Sequence, residues 1–278
     1  MSGFFWLASY PKSGNTWLRL ALLCLKEGKP VDFSERQGFA PLAASRRLFD
    51  ATLGIESSDL SPTEIENLRP RCYETQAEEA SEPLLNKTHD AWSRTSLGEP
   101  LFPPAVTLGS LHIVRDPRDV AISFAHHLGI TIDAAIDLMA NSRGGLAPQG
   151  SLLFDQLPQR LGLWSDHVTG WLAAPGAQPS LLIRYEDMHA DAPRELARVL
   201  TYIGWRATPE AIAQAIEYTR FDKLRAAEDR QGFHERPPEA ERFFRKGKAG
   251  GWRVDLTAAQ VKRIEQTHGA VMRQLGYL

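Results

Sequence analysis

Hydrophobic positions along the chain gather in short unbroken runs, set apart by longer stretches where they recur every three or four residues. Four runs read as strands: Phe4–Ala8, Leu84–Lys87, Leu111–Val114 and Leu181–Tyr185. A run without alternation fits a strand covered on both faces. Helical patterning follows three of the runs. Thr16–Lys26 carries leucines on one side and ends near Gly28. Asp116-Pro117-Arg118-Asp119 combines an N-cap, a proline at the first helical position and an acid at the third, and starts a second helix. Asp191–Tyr202 closes on Gly204 as helices favour. The pattern predicts an α/β fold, a central parallel β-sheet flanked by helices, with residues 1–278 as one domain. Two regions fit it poorly. Residues 29–83 are polar and proline-punctuated, with weak helical patterning. Residues 129–160 hold one helix, TIDAAIDLMA, and then the loop NSRGGLAPQGS. Both read as insertions of the kind that form acceptor sites and lids.

Composition narrows the function classes. A formal net charge of −2 over 278 residues speaks against a nucleic-acid partner, although a local cationic pocket is compatible with it. The cysteines, Cys24 and Cys72, are far apart in sequence, so neither a disulfide nor a zinc cluster is expected and a reducing compartment is. FFWLA is too short for a signal-peptide core, and no apolar run approaches the roughly 20 residues of a membrane span. The expectation is a soluble, cytoplasmic protein.

Ligands of open parallel sheets sit beyond the carboxyl ends of the strands. Four polar segments fall there: ASYPKSGNTW, NKTHD, VRDPRDVAIS and RYEDM. A fifth, FFRKGKAGGWR at 243–253, is Gly-rich and basic. The first lies between an apolar strand and a helix, the P-loop-like setting in which backbone N–H groups cradle a phosphate. Its lysine is displaced relative to GxxxxGK[ST]: Asn15 stands in the lysine slot, Ser9 in that of the first glycine, and the lysine is Lys12. Each of these residues also has an ordinary reading. Lys12 alone could be a solvated lysine, His89 a structural histidine, Arg115 and Arg118 charges at a helix start, and Ser123 a small residue on a helix face. Trp17 and Tyr185 could be core aromatics, and Arg245-Lys246-Gly247-Lys248 a solvated charge run.

Order and spacing change that weighing. YPKSGNTW at 10–17, KTH at 87–89, RDPRDVAIS at 115–123, WSDHVTGW at 164–171, RYEDM at 184–188, TRF at 219–221 and RKGKAGGW at 245–252 occur in sequence. Together they resemble the sulfotransferases that use 3′-phosphoadenosine 5′-phosphosulfate (PAPS), of the cytosolic type and of the bacterial enzymes that sulfate natural products. The departures are Asn15 for a threonine, Gly251 for the aspartate of GDW, and Lys262 for the glutamate that ends the family's dimer motif. The resemblance implies sulfonate transfer from PAPS to a hydroxyl, less readily an amine, of a small-molecule acceptor, with PAP as product and no metal required. It makes His89 the general base, with Lys12 and Lys87 as catalytic cations. It assigns Lys12, Ser13, Gly14, Asn15 and Thr16 to the 5′ side of the nucleotide, and Arg115, Ser123, Arg245, Lys246 and Gly247 to its 3′-phosphate. Trp17 and Phe221 would stack on adenine, with Tyr185 and Thr219 nearby. Monomer and homodimer stay open. So do two alternatives, a small-molecule or nucleoside kinase with a divergent phosphate loop and a non-catalytic PAP-binding regulator.

Overall fold

The computed structural model describes residues 2–34, 38–146, 155–238 and 240–278. In chain order the strands are β1 (Phe4–Ser9), β2 (Leu84–Thr88), β3 (Thr107–Val114), β4 (Gly145–Leu146), β5 (Gln159–Arg160) and β6 (Leu181–Arg184). The helices are α1 (Asn15–Glu27), α2 (Arg46–Leu53), α3 (Pro62–Glu79), α4 (Pro117–Leu128), α5 (Ile132–Met139) and α6 (Trp164–Leu172). They continue with α7 (Tyr185–Ala190), α8 (Ala192–Ile203), α9 (Pro209–Tyr218), α10 (Phe221–Gln231), α11 (Trp252–Asp255) and α12 (Ala258–Gln274). A central parallel sheet in the order β2-β1-β3-β6 is flanked by helices, the α/β, P-loop-like class that the hydrophobic pattern predicts. β1 lies parallel to β2 with Phe4 opposite Leu84 and Ala8 opposite Thr88. Every residue of β1 is buried, which is why its sequence shows no alternation.

The chain divides into two compact units, one of residues 1–10, 40–112 and 140–182, the other of residues 11–39, 113–139 and 183–278. The core of the first is aromatic: Phe4, Trp6, Tyr73, Phe102 and Trp171 are all buried in one cluster, with Phe4 and Trp6 stacked at 4.3 Å. The second holds a cluster of Leu20, Phe33, Leu224, Phe233 and Phe244.

Local signals account for the helix ends. The Asp116 carboxylate accepts the Arg118 N–H at 3.0 Å and Pro117 opens α4. Asp191 caps α8 through the Arg194 N–H, and Gly204 closes it in the left-handed region at φ 75°. Tyr185 opens α7, one step past the strand to which its apolar neighbours assigned it. The larger difference is at residues 40–83, which build α2 and the 18-residue α3. A capping box between Ser61 and Glu64 starts α3, and the helix carries Pro70 in its interior. Its buried face includes Arg69, Pro70 and Cys72, so apolar periodicity gives little sign of it. In the second region α5 forms as the pattern predicts, whereas the end of NSRGGLAPQGS, from 147 on, lies outside the described residues.

Candidate active site

In the second unit the loop after β1 enters α1 through two residues in the left-handed region. Lys12 sits at φ 68° and Gly14, the N-cap of α1, at φ 106°. A non-glycine residue there is held against about 1–2 kcal/mol of strain, and such strain gathers at functional sites. The Lys12 carbonyl accepts a hydrogen bond from Arg115 Nη1 at 3.1 Å. Gly14 is required as well by contact, because a Cβ at that position would stand 2.6 Å from Tyr185 Cδ2. The Lys12 ammonium lies 4.0 Å from the centroid of the Phe243 ring and donates to His127 Nδ1 at 3.5 Å. Ser13 is fully buried, and its hydroxyl has no hydrogen-bond partner among the described residues. The same holds for the indole N–H of Trp17 and Nε of Arg115. Asn15 and Thr16 form the first turn of α1, which directs backbone N–H groups and the positive end of the helix dipole outward.

Arg115 ties this loop to the basic C-terminal segment. Its Nη2 donates to the Lys248 carbonyl at 2.9 Å, and its guanidinium covers the Tyr185 ring at 4.4 Å. Burial holds the Tyr185 hydroxyl above its ordinary pKa, and Arg115 works against that rise. Trp17 packs edge-on to Tyr185 with ring centroids 6.1 Å apart. Gly247, at φ 58°, is pressed to the Phe221 ring so closely that a Cβ would stand 2.0 Å from Phe221 Cδ2. Arg245 is half-buried, and desolvation holds its pKa below the usual value. Lys246 is exposed and pairs with Asp255 at 2.5 Å. Ser123 is half-buried on α4. Thr219 is buried at the end of α9, where its hydroxyl donates to the Ala215 carbonyl at 2.9 Å.

Lys87 and His89 belong to the first unit. Asn86, Thr88 and Asp90 are buried, whereas Lys87 and His89 are half-buried, so the alternation of the strand carries the pair to its more open side. His89 Nδ1 lies 2.8 Å from the Ser9 carbonyl. A carbonyl only accepts, so this contact favours the tautomer with the proton on Nδ1; the Ser9 hydroxyl lies 3.3 Å from the same nitrogen. The backbone around His89 is held from three sides. His167 Nε2 donates to the His89 carbonyl at 3.1 Å, and Trp171 Nε1 to the Asp90 carbonyl at 2.9 Å. The Asp90 carboxylate takes two bonds from the buried Arg69 guanidinium, at 2.6 and 3.1 Å, and a third from the Arg160 N–H. Arg69 also reaches the Tyr73 hydroxyl. Burial lowers His167 to about 4 and pushes its neighbour His112 well below the ordinary histidine value.

The structure thus gathers the loop after β1, Arg115, Tyr185, Phe221 and the basic segment in one unit, and sets Lys87 and His89 at the end of β2 in the other. Residues absent from the sequence assignment include Arg69 and Asp90, which support His89, and Asp119, whose carboxylate accepts the Gly250 and Trp252 N–H groups. Asp119 reads in the sequence as a helix-start acid, and nothing local marks a partner 131 residues away. No helix among the described residues is long and apolar enough to cross a membrane.

Comparison with known proteins finds relatives along nearly the whole chain. Rat sulfotransferase 1A1 is 25% identical over 274 residues, covering 96% of this chain and 83% of its own. The flavonol 3-sulfotransferase of Flaveria bidentis is 26% identical, covering 94% and 78%. Mouse sulfotransferase SULT7A1, solved in complex with PAP, shares the fold with a TM-score of 0.61 at 22% identity, covering 98% of this chain and 84% of its own. The model of the sulfotransferase domain matches residues 4–276. The chain belongs to the sulfotransferase family, whose members are PAPS-dependent transferases.

Proposed function

We propose that the chain moves a sulfonate in line from PAPS to a hydroxyl, less readily an amine, of a small-molecule, lipid or natural-product acceptor, with His89 as general base. The observation that supports this reading is the Ser9 carbonyl 2.8 Å from His89 Nδ1, which favours the tautomer whose Nε2 is the basic nitrogen. PAPS supplies an activated sulfonate on a phosphate oxygen. Lys12 and Lys87 bring positive charge to the oxygen that becomes anionic as the bond breaks. Ser13, Gly14, Asn15 and Thr16, leading into the first turn of α1, hold the 5′-phosphate through backbone N–H groups. Arg115, Ser123, Arg245, Lys246 and Gly247 hold the 3′-phosphate, and Trp17 and Phe221 sandwich the base beside Tyr185 and Thr219. The fit of a doubly phosphorylated nucleotide is supported by three buried donors that find no protein partner among the described residues, Ser13 Oγ, Trp17 Nε1 and Arg115 Nε.

Residues 29–83 and 129–160 shape the acceptor pocket in this reading, and the protein works in the cytoplasm as a monomer or homodimer. The test is a panel of phenols, alcohols and amines incubated with sulfonate-labelled PAPS. Label appearing in at least one acceptor, with stoichiometric PAP, is the expected result. Label retained in PAPS across the panel, together with magnesium-dependent consumption of ATP, would replace the reading with a kinase.

A further inference from the structure

The five residues Arg245–Ala249 carry three cations, and both ends of this loop are fastened in the same way. On one side stands Glu228, 4% exposed in the last turn of α10. One of its carboxylate oxygens accepts the Phe243 N–H at 2.7 Å and the other the Phe244 N–H at 2.9 Å. On the other side stands Asp119, 3% exposed in the first turn of α4. One of its oxygens accepts the Gly250 N–H at 2.6 Å and the other the Trp252 N–H at 2.9 Å. No lysine or arginine among the described residues forms an ion pair with either carboxylate. A buried carboxylate demands hydrogen bonds in place of lost water, and here backbone amides supply them. Each carboxylate and its amide pair therefore lock one another.

We infer that Asp119 and Glu228 are positioning residues for nucleotide selection. They bracket Arg245–Ala249 and present Arg245, Lys246 and Gly247 to the 3′-phosphate as one preset unit. Neither carboxylate would touch the nucleotide, since both are engaged by the loop's own backbone. Between the two fastenings the Lys248 carbonyl is held by Arg115 and Gly247 is wedged on Phe221, so the span has little freedom left to lose on binding. The inference rests on the proposed assignment of this loop to the 3′-phosphate.

The test is titration calorimetry of Glu228→Gln and Asp119→Asn with PAP and with adenosine 5′-monophosphate, beside Arg245→Ala. The amide variants keep the side-chain shape but set an N–H₂ against one backbone N–H. Expected is a loss of PAP affinity of roughly tenfold or more, with adenosine 5′-monophosphate affinity held within about twofold. A merely structural role would weaken both nucleotides together. Equal losses for the two nucleotides, or no loss, alongside a selective Arg245→Ala, would overturn the positioning role and leave the loop assignment standing. An Arg245→Ala variant with unchanged discrimination would overturn the assignment and the inference with it. Should Glu228→Gln lose its folded circular dichroism, Asp119→Asn decides the question from the other end of the loop.

Discussion

Replacing Asp90 by alanine probes the support beneath His89. The Arg69 and Asp90 side chains are 3% and 1% exposed, joined at 2.6 Å, and embedded next to the aromatic core of the first unit. Removing the carboxylate leaves a buried guanidinium whose remaining partners, the Tyr73 hydroxyl and the Pro158 carbonyl, are neutral. Breaking a buried pair from one side costs about 3–5 kcal/mol, a large part of the roughly 5–15 kcal/mol that holds a domain folded. At roughly 2–4 °C per kcal/mol for a chain of this order, the melting temperature should fall by about 10 °C. Thermal unfolding followed by circular dichroism measures it. The decisive control is the double variant Arg69→Met/Asp90→Leu, which removes both charges and fills the space. If the single loss is an uncompensated charge, the double variant should recover more than half of it. A single variant melting within about 2 °C of wild type, or a double variant no better than the single one, would refute the electrostatic account.

Gly14→Ala forces a Cβ to within 2.6 Å of Tyr185 and imposes φ 106° on a residue with a side chain, so KM for PAPS should rise roughly tenfold or more in initial-rate assays; an unchanged KM would contradict the fit at this loop. Arg115→Ala removes donors to the Lys12 and Lys248 carbonyls, and calorimetry should show PAP affinity falling much further than that of adenosine 5′-monophosphate, with equal losses speaking against a 3′-phosphate role. His167, buried as the neutral form with its pKa depressed to about 4, contributes stability that is complete above the unfolded value near 6.5 and is lost as pH falls toward 4. The melting temperature should therefore drop between pH 6.5 and 4, and His167→Gln, which keeps a donor for the His89 carbonyl, should flatten that drop; an unaltered slope would exclude His167 as its source.

The strands were legible because burial on both faces turns them into apolar runs, as in β1. β3 is longer than its apolar segment, since Thr107, Gly109 and Ser110 are buried despite being small or polar. α3 was hidden for the complementary reason: an internal proline and a buried arginine erase the helical period that solvent would otherwise impose. The segments proposed for the nucleotide stand out in the sequence because glycine, hydroxyl and cation fall close together, with Gly14, Ser13 and Lys12 within three residues between a strand and a helix. The supports of the site could not be read that way. Arg69 reaches Asp90 across 21 positions and Asp119 reaches Gly250 across 131, and neither end of either contact carries a local mark. The tautomer of His89 depends in turn on the Ser9 carbonyl, an atom every residue possesses.

The central claim is that His89 Nε2 removes the acceptor proton while the nucleotide is held by other residues. It is tested most directly by His89→Asn in a single-turnover assay with sulfonate-labelled PAPS and an acceptor found in the panel, paired with calorimetric PAP binding. The account predicts a fall in the transfer rate of about 10²–10⁴-fold with PAP affinity changed by less than about twofold. Transfer at the wild-type rate would contradict it.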